Sequence, residues 1–259
     1  MAENPDETLA MLADLTAATD PKLRALARRL AGRLMLEVSR RGPTRPRGIG
    51  KLVSRPYRPD GGDLDLDASM EALAESRGAG IAPDPERLRV TGWTKPGTAL
   101  CLMVDRSGSM HGKPLATAAI AAAAIAWRSP EDYSVLAFAK DVVVAKSQDV
   151  AKSPERVVND VLALRGFGTT DVAGALNTAA VQLARSRSGR RIGILLSDCR
   201  ATVPGDVVAA AQGLDELCIV APEGDDEEAR TLAFQVGARL VTVNGPSQVP
   251  DAIAQALGD

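Results

Sequence analysis

From residue 99 to the C-terminus, short apolar runs alternate with segments of helical periodicity. The apolar runs predict strands at 99–104, 133–138, 142–146, 191–197, 217–221 and 239–243. The segments between and after them predict helices at 113–127, 154–163, 171–185, 204–213, 226–236 and 247–257. Strands that are joined through helices favour a doubly wound α/β fold, with a mostly parallel sheet covered on both faces.

Two details of this pattern constrain the six-stranded sheet further. Only residues 139–141 separate the second strand from the third, which requires a hairpin and therefore one antiparallel edge strand. From the same periodicity and the single hairpin we also expect 99–104 and 191–197 to be neighbouring parallel strands.

The first 87 residues have a different character. Residues 1–40 predict a helical extension of two helices, and residues 41–87 an Arg/Pro-rich and then Asp-rich linker. Within that linker we expect a short helix at 68–77, capped by Asp67. The run 88–93 predicts a strand that leads into the third segment, 88–259, which we interpret as the α/β domain.

Composition limits the class of protein. Aromatic residues make up only 3% of the chain, so the core must consist mainly of Ala, Val, Leu and Ile. Three cysteines without regular spacing favour neither a disulfide scaffold nor a zinc site. Residues 1–6 lack the basic start and apolar run of a signal peptide, and no apolar run approaches the ~20 residues of a membrane span. We therefore expect a cytoplasmic protein.

Hard oxygen donors follow two of the predicted strands and precede one helix. Asp105, Ser107 and Ser109 come directly after the first strand, Thr170 precedes the helix at 171, and Asp198 ends the strand 191–197. Residues of these types also cap strands and helices routinely. Oxygen donors without a soft ligand suit Mg²⁺ or Mn²⁺, so the three segments together predict a magnesium or manganese site.

In these residues the chain resembles the von Willebrand factor A (VWA) domain family over about residues 88–259. The resemblance implies a Rossmann-like fold and a metal-ion-dependent adhesion site (MIDAS), with Asp105, Ser107, Ser109, Thr170 and Asp198 as the metal-binding residues. Two positions depart from the family pattern. Cys199 and Thr169 stand where family members usually have glycine, which permits backbone angles that other residues avoid.

Enzymatic alternatives fit the sequence less well. A dehalogenase-type phosphatase would need an aspartate at Ser107, and the Gly108–Pro114 stretch is too short for a P-loop and ends in proline. A serine hydrolase would need a histidine late in the chain, whereas the sequence contains only His111. We therefore predict a non-enzymatic protein.

The residues that flank the predicted metal site are basic or titratable. Arg106, His111 and Arg200 are near it in sequence, and we interpret them as weaker candidates for contact with an acidic partner. A second basic feature is the tract 40–58, in which seven Lys and Arg residues occur without an acid. This tract suits a solvated loop, and it leaves open an alternative function in nucleic-acid association.

The resemblance also implies a function. Without a signal peptide or disulfides, the chain is similar to intracellular bacterial members such as CoxE-like proteins and the magnesium chelatase D subunit. Such proteins work beside MoxR-type or related AAA+ ATPases. We therefore expect a metal-ion-dependent protein-binding module that binds an acidic residue of its partner and serves a separate AAA+ ATPase as adaptor. The alternative is a non-ATPase subunit of a chelatase-like metal-insertion complex.

Overall fold

The computed structural model describes residues 5–16, 21–39, 51–57, 63–94, 97–108, 112–166 and 168–258. The chain divides into two compact units, a larger one of Met1–Pro46 with Gly97–Asp259 and a smaller one of Arg47–Pro96. The division differs from the three segments expected from sequence. The N-terminal helices belong to the larger unit, and residues 47–96 form a unit of their own.

The larger unit is built on a six-stranded sheet. Its strands are β4 (Thr98–Asp105), β5 (Tyr133–Phe138), β6 (Val142–Lys146), β7 (Arg190–Leu196), β8 (Glu216–Pro222) and β9 (Arg239–Val243). They lie in the order β6-β5-β4-β7-β8-β9, and every pair is parallel except β5 with β6. The predicted doubly wound sheet and its antiparallel edge strand are therefore confirmed, as is the parallel pairing of 99–104 with 191–197.

Helices cover both faces of this sheet. They are α1 (Pro5–Leu15), α2 (Pro21–Ser39), α4 (Gly112–Arg128), α5 (Pro154–Leu162), α6 (Val172–Leu183), α7 (Val207–Gln212), α8 (Glu227–Val236) and α9 (Val249–Leu257). Alternate residues of β4 face opposite sides: Leu100, Leu102 and Val104 belong to the core with α1, α2, α4, α5 and α9. Cys101 and Met103 belong to the core with α6, α7 and α8. A strand buried on both faces is apolar throughout, which explains the unbroken run in the sequence.

Helix α4 lies at the centre of the first layer. Every residue from Leu115 to Ala126 except Thr117 is buried, and eight of these twelve residues are alanine. Small side chains let neighbouring helices approach closely, and α1, α2, α5 and α9 all pack on α4. An all-round apolar helix is typical of a buried position, so its composition and its place in the fold agree.

Two carboxylates fix the N-terminal helix α1 on the larger unit. Asp14 accepts a hydrogen bond from the backbone N–H of Gly112 at 2.5 Å, and Asp6 accepts one from Ser247 at 2.8 Å. The Asp14 contact also places a negative charge at the N-terminus of α4, where the helix dipole favours it. Between them Leu9 is buried against the same layer.

We expect Leu9→Ala to lower the free energy of unfolding of the larger unit by about 2–3 kcal/mol, because it leaves a cavity between α1 and α4. Met11→Ala is the matched control on the same helix, since that side chain is 66% exposed, and it should change the value by less than about 0.5 kcal/mol. Urea denaturation of both variants measures this. Equal stability of Leu9→Ala and wild type would mean that α1 does not share the core.

The smaller unit is an antiparallel sheet with one helix. Strand β3 (Arg89–Thr94) lies between β1 (Lys51–Pro56) and β2 (Asp63–Leu64), and α3 spans Leu66–Ala79. Three expectations need correction here. The strand at 88–93 pairs within this unit rather than leading into the α/β domain, because β1 and β2 supply its hydrogen-bonding partners.

The other two corrections concern the linker. Part of the basic tract, Lys51–Pro56, is strand rather than loop, and residues 40–50 and 58 lie outside the described residues. Helix α3 begins two residues earlier than expected, and its N-cap is Asp65 instead of Asp67. The Asp65 carboxylate accepts a hydrogen bond from the N–H of Ala68, which is the usual geometry of an aspartate cap.

Among the helices in the described part of the chain, none is both long enough and apolar enough to cross a lipid bilayer.

Candidate metal site

Asp105 is the last residue of β4, where the strand leaves the core. Its Oδ1 accepts a hydrogen bond from the backbone N–H of Ser107 at 2.8 Å, which turns the chain sharply after the strand. Its Oδ2 accepts a hydrogen bond from the Ser197 hydroxyl at 2.5 Å. Because Ser197 follows β7, this second bond joins the ends of the two neighbouring parallel strands directly.

Backbone hydrogen bonds hold the three predicted ligand segments at one edge of the sheet. The N–H of Arg106 donates to Phe138 and that of Asp171 donates to Ala139, each at 2.8 Å, so both segments are attached to the end of β5. The Thr170 carbonyl accepts from Thr202 at 3.0 Å and from Val203 at 3.2 Å. The loop before α6 is thereby joined to the loop after β7.

Asp198 faces the same edge in a negative environment. One of its oxygens accepts a hydrogen bond from the backbone N–H of Arg200 at 2.9 Å. Burial raises the pKa of Asp198 above its usual range, and the negative charges of Asp105 and Asp225 raise it further. A positive charge placed between Asp105 and Asp198 would therefore be favourable.

A cavity of about 350 Å³ opens beside these residues. Asp105, Ser107 and Asp198 lie on its wall, together with Lys113 at the start of α4. Apolar side chains from the sheet, including Val104, Leu196, Val220 and Val243, line another part of it. The cavity thus combines an acidic rim with an apolar interior at the carboxyl ends of the strands, where doubly wound folds bind ligands.

The structure brings most of the predicted site residues to one edge of the larger sheet, but these residues differ in how exposed they are to the cavity. Thr170 is only 4% exposed and does not line the cavity, although its loop is bonded to the loop that carries Asp198. The Asp171 carboxylate caps α6 by accepting a hydrogen bond from the backbone N–H of Gly174 at 2.8 Å. This carboxylate therefore serves the helix cap and is not one of the proposed metal ligands. Ser109 and His111 lie outside the described residues.

The two arginines that flank the site are held by other groups. The guanidinium of Arg200 forms ion pairs with Asp225 and Glu228, and its side chain is exposed. The guanidinium of Arg106 donates to the carbonyl oxygen of Arg165 at 3.5 Å. Contact of either side chain with an acidic partner therefore stays a prediction that would require competition with these bonds.

Cys199 occupies the left-handed conformation that favours glycine, the residue that the family resemblance leads one to expect at this position. Its φ is 66°, and it is the one non-glycine residue with positive φ in the described ranges. This conformation is costly for a residue with a side chain, so the loop after Asp198 is held by its surroundings, including a 2.9 Å bond from the Cys199 N–H to the Ser197 hydroxyl. The unusual residue preserves the turn that glycine would provide.

The donor set fits a hard divalent cation. Carboxylates and hydroxyls are the available groups, and burial raises the pKa of the neighbouring Cys199 thiol to about 12, which keeps it protonated and a poor ligand. Within the described ranges, no group of three or more His, Cys, Asp or Glu side chains is arranged to hold a metal. A cation at this edge would therefore depend on hydroxyl ligands as well as on the two carboxylates.

Sequence reasoning missed three contributors. Ser197 donates to Asp105, Asp225 adds negative charge near Asp198, and Lys113 lines the cavity. Ser197 could have been found, because its hydroxyl is next to Asp198 at the strand end. Asp225 lies after β8 and reaches the site only through the sheet order, which no local pattern indicates.

Comparison with known families identifies the class of protein. The family model described as VWA domain containing CoxE-like protein matches residues 26–244. This chain therefore belongs to the VWA domain-containing CoxE-like family. A comparison with functionally curated proteins found no match.

Solved structures with a similar chain path are distant in sequence. A von Willebrand factor type A protein from Catenulispora acidiphila is 17% identical, with a TM-score of 0.49 over 64% of this chain and 43% of that one. An aerotolerance-related membrane protein from Bacteroides fragilis is 15% identical, with a TM-score of 0.48 over 62% of this chain and 98% of that one. BatB from Bacteroides thetaiotaomicron is 16% identical, with a TM-score of 0.45 over 62% and 96% of the two chains.

Proposed function

We propose that this chain is a metal-ion-dependent protein-binding module whose metal-binding residues are Asp105, Ser107, Ser109, Thr170 and Asp198. One observation carries the proposal. Asp105 and Asp198 follow neighbouring parallel strands and lie close enough for the charge of one to raise the pKa of the other, beside an open cavity. Two carboxylates in this arrangement repel each other, and a cation between them would remove that repulsion.

The proposed cofactor is Mg²⁺ or Mn²⁺, which supplies a Lewis-acidic position for an incoming carboxylate. The protein itself would position the cation's ligands and balance the charge of the cation. Asp105 and Asp198 together carry two negative charges, while Ser107, Ser109 and Thr170 offer neutral oxygens. A partner's Asp or Glu therefore enters without a protein base and without an excess of negative charge from this chain.

Side-chain chemistry supports binding rather than catalysis. Burial raises the pKa of Cys101 to about 12, that of Cys199 to about 12 and that of Cys218 to about 11, so none is a thiolate at neutral pH. The conclusion is that the edge of the sheet acts by coordination and contact, and we propose that the protein has no catalytic residue of its own.

For the partner, we propose a separate AAA+ ATPase of the MoxR type. The proposal rests on the family resemblance and on the absence of a Walker motif from the sequence. The cavity beside the acidic rim would accommodate an apolar side chain next to the partner's carboxylate. Within such a complex the chain would act as an adaptor in the cytoplasm.

We expect a pull-down in Mg²⁺ to retain the ATPase, EDTA to release it, and Mg²⁺ or Mn²⁺ to restore it. Thr170→Ala should weaken retention at least about tenfold, because it removes one neutral oxygen of the proposed site. The fold should persist, since the described bonds of Thr170 to Thr202 and Val203 use its backbone atoms. Thr231→Ala, on the exposed side of α8, is the matched control. Retention of the ATPase in EDTA would contradict the proposal.

A further inference from the structure

The exposed face of α2 carries a regular strip of leucine and arginine. Leu26, Arg29, Leu30 and Arg33 are all exposed, and they follow the i, i+3, i+4, i+7 spacing that places side chains on one face of a helix. Leu26 and Leu30 are 62% and 54% exposed although the opposite face of α2 is buried in the core. The strip is therefore a second apolar surface of this helix, one that the fold does not use.

Next to this strip, α2 and α5 enclose a cleft of about 480 Å³. Arg28, Arg29 and Arg33 line it from α2, and Glu155 and Asn159 line it from α5. The three arginines carry three positive charges against the single negative charge of Glu155. The cleft is thus strongly basic and concave, on the helical face of the larger unit rather than at the metal-site edge of the sheet.

In the described part of the chain, the arginines of this cleft form no salt bridge with the acids near them, Glu155 and Glu37. Among the described residues, none of Arg28, Arg29 and Arg33 forms an ion pair, whereas six other arginines do. The buried Nε of Arg28 has no hydrogen-bond partner in the described structure. Arg29 and Arg33 are also four residues apart, a spacing at which like charges destabilise a helix. An oxyanion in the cleft would give the Arg28 Nε a hydrogen-bond partner and would reduce the repulsion between Arg29 and Arg33.

We propose that the α2–α5 cleft and its leucine strip form a docking site for an acidic amphipathic helix of a protein partner. Carboxylates of that helix would enter the cleft and pair with the guanidinium groups, which bind carboxylates in a two-pronged geometry. Leucine-sized side chains of the same helix would cover Leu26 and Leu30. Alternation of basic and apolar residues on the strip is complementary to alternation of acidic and apolar residues on such a partner.

The shape and the charges of the site favour a protein segment over an anionic membrane. A bilayer surface is flat and would leave the cleft unfilled. Glu155 lines the cleft, Glu37 is exposed one turn beyond Arg33, and both would be repelled by anionic lipid. The strip also lacks the aromatic residues that anchor interfacial helices.

The test uses the full chain in EDTA, so that the proposed metal site makes no contribution. The probe is a fluorescein-labelled model helix with glutamate and leucine on one face, and its binding is followed by fluorescence anisotropy. Arg29→Glu and Arg33→Glu should each weaken binding about tenfold, and both should fold because these side chains are exposed. Arg187→Glu, an exposed arginine between α6 and β7, is matched in charge and should change affinity less than about twofold.

Further measurements distinguish an acidic helix from other ligands that could occupy the cleft. A control helix with glutamine in place of glutamate should bind at least about tenfold more weakly, and Leu30→Ala should weaken binding of the acidic helix. The proposal is overturned by equal weakening in Arg187→Glu, by equal binding of the glutamine helix, or by no binding at all. It is likewise overturned if phosphatidylglycerol vesicles or pyrophosphate bind in the same Arg29-dependent way and the helix does not.

Discussion

Asp198→Ala is expected to lower Mg²⁺ affinity by more than about 100-fold, a loss larger than that caused by removing an outer-sphere partner of a metal. The variant removes one of the two carboxylates that face the cavity. Its fold should persist, because the described hydrogen bond of this side chain is one contact with the Arg200 N–H in an exposed loop. Isothermal titration with Mg²⁺ measures the effect.

The stability of the same variant gives an independent check. Burial raises the pKa of Asp198 and the charge of Asp105 raises it further, so the ionised side chain is unfavourable in the folded protein at neutral pH. Without Mg²⁺, we therefore expect the free energy of unfolding of Asp198→Ala to equal or exceed that of wild type.

Two further variants define the site more closely. Asp225→Ala removes a nearby acid that is not a proposed ligand, and it should change Mg²⁺ affinity by less than about tenfold. For the first strand end Asp105→Asn is preferable to alanine, because Asp105 accepts bonds from Ser107 and Ser197 that alanine would leave unmade. Wild-type Mg²⁺ affinity in either Asp198→Ala or Asp105→Asn would contradict the assignment.

Asp132→Ala is expected to lower the free energy of unfolding by about 2–3 kcal/mol, through loss of three hydrogen bonds to a carboxylate. Asp132 accepts from the Gln148 amide at 2.6 Å and from the hydroxyls of Ser186 and Ser188 at 2.5 Å each. These bonds connect three loops at the end of the sheet opposite the candidate metal site. Urea denaturation checks the value, and Glu131→Ala, an exposed neighbour, should change it by less than about 0.5 kcal/mol.

The contribution of Asp132 should depend on pH in a defined direction. Burial raises the pKa of this carboxyl, but the hydrogen bonds from Gln148, Ser186 and Ser188 and the charge of Lys146 outweigh it, so the net pKa is lowered. A lowered pKa gives stability that is present above the unfolded value of about 3.9 and is lost as the pH falls through the folded value. The gap between wild type and Asp132→Ala should therefore be constant from pH 7 to 5 and narrow below about pH 4. An equal gap at pH 3 would contradict this explanation.

The larger sheet could be predicted because its signals are local. A strand buried on both faces must be apolar throughout, as β4 is from Ala99 to Val104, and three residues between β5 and β6 permit only a hairpin. The oxygen donors that follow β4 and β7 could be found in the sequence because they too are a local signal. Parallel strands end at one edge, so Asp105 and Asp198 had to approach each other once their strands were neighbours.

What sequence reasoning missed depends on contacts between distant residues. Strand β1 pairs with β3, which lies about forty residues further along the chain. The lysine, arginine and proline of β1 are more typical of a loop, so the sequence did not indicate a strand there. Asp14 reaches Gly112 across 98 positions, so the docking of α1 on α4 had no local signal. The left-handed turn at Cys199 contradicts residue preference, and only the glycine of related proteins indicated it.

The most direct test of the central claim is a crystal structure of the protein grown with Mn²⁺, with data that reveal the metal by anomalous scattering. Our account predicts the strongest anomalous peak between Asp105 and Asp198, with hydroxyl oxygens of Ser107, Ser109 or Thr170 completing the shell directly or through water. A peak elsewhere, or none at this edge of the sheet at saturating Mn²⁺, would contradict the account.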